Sequence, residues 1–225
     1  MQAGAEGGFR PGRRTLTALA AAVVFRPAWA EAGLNLPPGD AIAFRILRDG
    51  TEVGSHRIDF ERRGKITLAR IAIDIAVRYG WVTVYRLAGR ATEIWQGERF
   101  LGIDSHTDDN GTAAWMRTAP DPGGGFQVSG SGTAPYVAPP GALASTYWNP
   151  AILAAPVINS QDGRLSEPEV LTGPLEEVPS AAGPVQARRH DMHGDPDMEI
   201  WYDLDRQWAY LRFRRGGSVI TYLRT

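Results

Sequence analysis

From Ala41 onward the chain alternates apolar and polar side chains with a period of two, and no other feature restricts its fold as strongly. Successive side chains on a strand point to opposite faces, so this period describes a sheet with one face buried; a helix would need apolar residues to recur at three and four. Between Ile66 and Tyr79, for example, Ile71, Ile73, Ile75, Val77 and Tyr79 share one face while Arg70, Asp74 and Arg78 share the other. At about 3.3 Å per residue this stretch exceeds roughly 40 Å, so it is expected to bend or bulge and serve two parts of a curved sheet.

The same pattern continues on both sides. Ile42, Phe44 and Ile46 alternate inward, Asp49-Gly50 supplies a turn with positive φ, and His56, Ile58 and Phe60 alternate back. Further strands are expected over Trp81 to Leu87, Arg90 to Gln96, Arg99 to Thr107, Thr112 to Thr118 and Phe126 to Ser131, with Gly89, Gly97, Asn110-Gly111 and Pro120 to Gly125 between them. Asn110-Gly111 is the strongest turn signal and predicts a type I′ hairpin. Strands resume at Val185 to His193, Met198 to Asp203, Gln207 to Arg214 and Val219 to Leu223. In the last group Ile200 and Tyr202 oppose Trp201, and Trp208 and Tyr210 oppose Leu211 and Phe213, so both faces carry aromatics that need cover.

Residues 133–163 break the pattern. Pro135, Pro139, Pro140, Pro150 and Pro156 interrupt any ladder, and Asn149-Pro150 reads as an N-cap with proline at the first helical position, predicting one short helix of about two turns through Ala155. The fold class that follows is mainly β: an antiparallel meander curled into a barrel or half-barrel, with one short helix and a Pro-rich insert acting as lid or plug. An outer-membrane barrel fits less well, because the outward faces carry Arg45, Arg57, Asp59, Arg70, Asp74 and Arg86, which cost energy against lipid.

The first thirty residues read differently, as an export leader. Arg10, Arg13 and Arg14 form a positive region, Leu16 to Phe25 an apolar run, and Ala28-Trp29-Ala30 a small-residue cleavage site. The expected organisation is a signal peptide over 1–30, a linker over 31–40 and a single β-rich domain over 41–225. Arg13-Arg14 followed by Thr15-Leu16 also resembles a twin-arginine signal. The apolar run is too short to span a bilayer, so the processed chain is not expected to be an integral membrane protein, and a periplasmic or secreted location follows.

Composition removes several function classes. The 24 Lys+Arg against 25 Asp+Glu argue against a nucleic-acid partner, and loss of the leader's four arginines and one glutamate leaves 20 against 24. Lys65 is the only lysine and cysteine is absent, which removes Schiff-base, P-loop and thiol chemistry. Ser129-Gly130-Ser131-Gly132 does not give a nucleophile elbow. His190-Asp191-Met192-His193 with Asp195 and Asp197 contains metal-type ligands, but positions three apart on a strand face opposite sides, so it reads as a polar hairpin tip. No metal or cofactor is expected.

Arg48-Asp49-Gly50 with Gly54 and His56, Glu93 and Trp95 before Gly97, Tyr147-Trp148-Asn149, Asn159 with Gln161-Asp162-Gly163, and the ending Trp201-Tyr202-Asp203, Trp208 to Phe213 and Ile220 to Leu223 resemble a family of exported proteobacterial β proteins known only as a domain of unknown function. The resemblance implies a periplasmic address and an antiparallel β architecture, and supplies no catalytic residue.

Candidate ligand-binding residues follow from placing polar groups on apolar faces. His56 shares a face with Ile58 and Phe60, where an imidazole must be hydrogen-bonded or border a cavity. Glu93 shares a face with Trp95: if that face is inward, Glu93 can pair with His56 or an arginine, and otherwise it is a solvated strand charge. Tyr147, Trp148, Asn149, Asn159 and Asp162 flank the short helix and combine aromatics with side-chain oxygens and amides, the makings of a headgroup or sugar pocket; alternatively, Trp148 staples the helix to the sheet and Asn149 caps it. The functional expectation is non-enzymatic binding of a lipid or other envelope ligand in a curved groove. The alternatives are a hydrolase or lyase using His56 and Glu93, and an envelope scaffold acting through a strand edge. The oligomeric state is left open.

Overall fold

A computed structural model describes residues 34–225; the expected leader over 1–30 and the start of the expected linker lie outside the described residues. The described chain is a meander. Strands β1 (Ala41–Arg48), β2 (Thr51–Arg63), β3 (Ile66–Tyr79), β4 (Val82–Gln96), β5 (Arg99–Asp109), β6 (Thr112–Pro120), β7 (Phe126–Gly130) and β8 (Thr133–Ala138) follow one another by short turns. The insert then carries β9 (Leu143–Ala144), a 3-10 turn (Pro150–Ala154), β10 (Val157–Ile158) and β11 (Leu165–Ser166). Strands β12 (Glu169–Val178), β13 (Val185–His193), β14 (Met198–Asp203), β15 (Trp208–Arg215) and β16 (Ser218–Arg224) complete the chain.

All thirteen long strands belong to one antiparallel sheet in the order β12-β13-β14-β15-β16-β1-β2-β3-β4-β5-β6-β7-β8. Neighbours in space are neighbours in sequence, except where β16 pairs with β1 through Phe44↔Arg224 to Arg48↔Ile220 and splices the end of the meander to its beginning. Edges β12 and β8 remain unpaired, so the sheet is a half-barrel and not a closed one. The small sheet β9-β10-β11 belongs to the insert and plugs the concave side: Ala142, Ala144, Trp148 and Ile158 join Ile42, Phe44, Ile46, Ile58 and Trp95 in one buried cluster.

The hydrophobic alternation sets the register as expected. Ile42, Phe44 and Ile46 are 2%, 1% and 0% exposed while the residues between them are only half-buried. Asn110 (φ 54) and Gly111 (φ 89) make the predicted two-residue turn, with Asp109↔Thr112 closing the hairpin. Strand β3 pairs along its whole length with β4 and carries the predicted irregularity, a register shift between Val77 and Arg78.

Several expectations are corrected. Gly89 does not separate two strands. It lies inside β4 opposite Ile73, and a Cβ there would meet Ile73 Cγ2 at 2.6 Å, so the glycine allows a close approach within an unbroken strand. The two-turn helix is a single 3-10 turn of five residues, because β10 begins directly after Ala155-Pro156. The prolines do not silence the insert: β8 pairs with β7 despite Pro135, since β8 is an edge strand and can leave an N–H out of the ladder. Residues 169–178, unassigned from sequence because Gly173-Pro174 interrupts the alternation, form β12 with a bulge between Thr172 and Leu175. Trp208 and Tyr210 do not share a face. A bulge opposite Trp201/Tyr202 turns Trp208 into the main core with Leu211, while Ala209 and Tyr210 pack on the outer face against Trp201.

Candidate functional site

Between the concave face and the insert lies a cleft of about 360 Å³. Its floor comes from strands distant in sequence: His56 of β2, Ile71 and Ile73 of β3, Trp208, Leu211 and Phe213 of β15, and Tyr222 of β16. The insert supplies one wall with Ser145, Thr146, Tyr147, Asn159 and Ser160, and the β13–β14 turn another with Asp195, Pro196 and Asp197. Strand alternation brings the floor together, because each of these side chains occupies the inward phase of its strand.

The floor is an aromatic cage. The His56 ring stands edge-on to Trp208 at 5.4 Å and to Tyr222 at 5.7 Å, Trp208 and Tyr222 stack at 5.8 Å, and Phe44 lies 4.2 Å from Trp208. His56 is 7% exposed, and neither Nδ1 nor Nε2 has a hydrogen-bond partner among the described residues. Burial without a nearby charge pushes its pKa down to about 4, so the ring is neutral at ordinary pH, with one donor and one acceptor unmet. Burial also drives up the phenols of Tyr147 and Tyr222, which therefore stay protonated.

Charges are confined to the rim. Arg90 reaches Asp74 at 2.8 Å and Arg215 faces Asp109 at 3.6 Å; both arginines and the acids Asp195 and Asp197 are exposed. Tyr147 is held across the cleft from the sheet in a left-handed conformation (φ 61), and its carbonyl accepts a 2.6 Å bond from the Tyr202 hydroxyl. Ser160 is fixed from both sides: its N–H donates to Ser145 Oγ at 2.9 Å, and its carbonyl accepts from the Ser105 hydroxyl of β5.

The eight sequence candidates divide into three sets. His56, Tyr147 and Asn159 line the cleft. Glu93, Trp95 and Trp148 form a separate buried cluster: Trp95 and Trp148 donate their indole N–H groups to Glu93 Oε2 at 2.9 and 2.7 Å, and Thr146 donates to Oε1 at 2.6 Å. Glu93 is 1% exposed, so it is not a solvated strand charge; nor does it pair with His56 or an arginine, because its oxygens are taken up by neutral donors. Burial holds its pKa above the usual carboxylate range, and the three donors offset part of that rise. Trp148 packs edge-on against Phe60 and Trp95 at 4.9 and 5.4 Å and acts as the staple. Asn149 and Asp162 are turn caps, Asn149 accepting from the Ala151 N–H at 3.0 Å and Asp162 from the Arg164 N–H at 3.1 Å, and neither reaches the cleft. Asn159 also caps its own turn through the Gln161 N–H at 2.9 Å.

Trp208 and Tyr222 line the cleft and are absent from the sequence candidates. Their signal was their inward phase on the last two strands, but only the β16–β1 pairing sets them beside His56. His190 and His193 do different jobs, the first half-buried against Tyr202 at 6.0 Å and the second exposed and 3.5 Å from Asp197.

Comparison with solved structures finds a similar fold in a beta-barrel-like protein of domain of unknown function DUF1849 from Brucella abortus, with a TM-score of 0.56, 9% identity, and 82% of this chain and 94% of that one covered. No curated protein matches the sequence. The family described as domain of unknown function DUF6134 matches residues 44–225, from within β1 to the end of the chain given, and the chain belongs to it.

Proposed function

We propose that this chain is an exported protein of the cell envelope that holds an amphipathic, lipophilic small molecule in the cleft. The observation that carries the reading is His56: a neutral imidazole with both ring nitrogens unmet among the described residues, set in an aromatic floor beside the cleft. A buried polar group without partners costs roughly 1–3 kcal/mol, and a ligand that offers it a donor or acceptor relieves that cost on binding. The cleft volume falls at the lower end of the roughly 300–1,000 Å³ usual for small-molecule sites, and its make-up, an apolar body with a few fixed polar groups, is the usual one. An apolar moiety would lie on Trp208, Tyr222 and Phe213, with a hydrogen-bonding group at His56 and a polar end toward Arg90 and Asn159. Hydrolysis by a His56–Glu93 pair has less support, because Glu93 does not line the cleft and its oxygens are committed to Trp95, Trp148 and Thr146.

Export rests on the Arg10 to Ala30 pattern. Among the described residues no helix is long and apolar enough to cross a membrane. A fusion of residues 1–35 to a reporter active only outside the cytoplasm should be active, and the mature N-terminus should be Glu31; lysine at positions 13 and 14 should nearly abolish export by the twin-arginine route and leave general secretion intact. The ligand is tested by native mass spectrometry of protein purified from its own envelope fraction. A co-purifying small molecule that is lost from Ile73→Trp, which fills the cleft, supports the reading. Ligand-free protein, or a ligand retained equally by that variant, removes it.

A further inference from the structure

One segment of the sheet outruns the ladders on both sides. The pairing of β2 with β3 ends at Gly54↔Ile75, and the pairing of β4 with β5 begins only at Leu87↔Asp109, yet β3 and β4 continue together through Ala76↔Arg86 and Val77↔Tyr85 to Tyr79↔Val82. Residues 76–86 therefore form a two-stranded arm beyond both flanking ladders; its root keeps contact on either side, Ala76 to Arg78 sharing a groove with Thr51 to Gly54 and the Arg86 carbonyl accepting from the Asn110 N–H at 2.7 Å, and its tip runs on past them. Such a ribbon buries little and gains nothing from a core of its own. Its tip is apolar and bare: Trp81 is 95% exposed, Tyr79 84%, Val84 55% and Val82 52%. They include the two most exposed large hydrophobics among the described residues, and all four are gathered at one place.

The arm is also uniformly cationic. Arg78 and Arg86 are exposed and form no ion pair among the described residues, and no acid occurs between positions 76 and 86. The acids near its root, Glu52, Asp74 and Asp109, already face Arg45 at 3.7 Å, Arg90 at 2.8 Å and Arg215 at 3.6 Å. A specific protein interface needs about 800 Å² per partner and a shaped surface. A convex tip of four side chains falls well short of that, whereas a bilayer accepts a protruding tip without a complementary pocket. Indole and phenol rings settle at the headgroup level, and arginines pair with lipid phosphates.

We propose that the arm 76–86 docks the protein on an anionic membrane surface, seating Trp81 and Tyr79 in the headgroup layer with Arg78 and Arg86 on lipid phosphates. The inference stands apart from the ligand reading, although the two meet structurally: Ile73 and Gly89 of the cleft lie on the same strands, three residues below the root of the arm.

The test is co-sedimentation of the protein, purified as its own cell processes it, with vesicles of phosphatidylcholine alone and of phosphatidylcholine mixed with phosphatidylglycerol. Wild-type protein should pellet with the mixed vesicles. Tyr79→Ser/Trp81→Ser should bind at least about tenfold more weakly while its melting temperature stays unchanged, since neither side chain is buried. Arg78→Gln and Arg86→Gln should each lose about fivefold on the anionic vesicles only. The proposal falls if wild-type protein does not bind, if the serine variant binds as wild type does, or if the serine substitutions change only the oligomeric state in sedimentation and leave vesicle affinity intact, which would make the tip a protein contact.

Discussion

Acidification should weaken the fold through His56 by an amount the structure fixes. The folded-state pKa is about 4 against an ordinary 6.5, with burial as the cause and no carboxylate contributing. Below the unfolded value the unfolded chain binds a proton that the folded chain refuses, so stability is fully present above pH 6.5 and is lost as pH falls toward 4. With about 1.36 kcal/mol per unit of pKa difference, the whole window amounts to about 3 kcal/mol, of which about 2 kcal/mol should be lost between pH 7 and 5. The assay is denaturant unfolding of wild type and His56→Phe at both pH values. The phenyl ring keeps the packing with Phe44, Trp208 and Tyr222 but cannot titrate. Because neither imidazole nitrogen has a partner, His56→Phe should be neutral or stabilising at pH 7, not destabilising as for a hydrogen-bonded histidine. Other groups titrate identically in both proteins, so the difference between their pH slopes isolates His56. Equal slopes would refute the reasoning, since the imidazole would then be solvated or partnered at neutral pH.

The Glu93 cluster should behave with the opposite sign: its folded pKa is raised, so its contribution is present at low pH and lost as pH climbs, and Glu93→Gln should gain on wild type above the usual carboxylate range in the same unfolding assay. Glu93→Leu should be destabilised by several kcal/mol, because two indole N–H groups and the Thr146 hydroxyl lose their acceptor in the interior. Trp148→Ala should cost about 4 kcal/mol by leaving a cavity against Phe60 and Trp95, whereas Trp148→Phe should cost about 1–2 kcal/mol for one of the two donors lost at Glu93 Oε2, which keeps the Trp95 indole; similar values would mean that packing alone matters. Gly89→Ala should destabilise by about 1–3 kcal/mol through the 2.6 Å approach to Ile73 Cγ2, and Ile73→Leu in the same chain, which has no methyl branch at Cβ, should restore part of the loss.

The architecture was legible because strand physics is local. A period of two, interrupted by Asp49-Gly50, Asn110-Gly111 and Gly216-Gly217, sets strand phases without reference to distant residues, and it put His56, Ile58 and Phe60 on the inward face where they lie. Departures came where one residue overrides the period: Gly89 looks like a break and is a close approach, Gly173-Pro174 hides a bulged edge strand, and the bulge at Ala209 turns Trp208 away from Tyr210. Such overrides depend on what lies opposite, which alternation does not encode.

The site required the tertiary structure for the same reason. Sequence alone identified an inward histidine on β2 and an acid beside Trp95, but whether the two meet depends on which strands become neighbours. Pairing of β16 with β1 carries Trp208 and Tyr222 to His56, and packing of the insert carries Thr146 and Trp148 to Glu93. One candidate pair thus became two separate environments, a neutral imidazole open to a cleft and a carboxylate closed in by donors. Side-chain phase is a property of the local chain; the company a side chain keeps is a property of strand order and of what plugs the concave face.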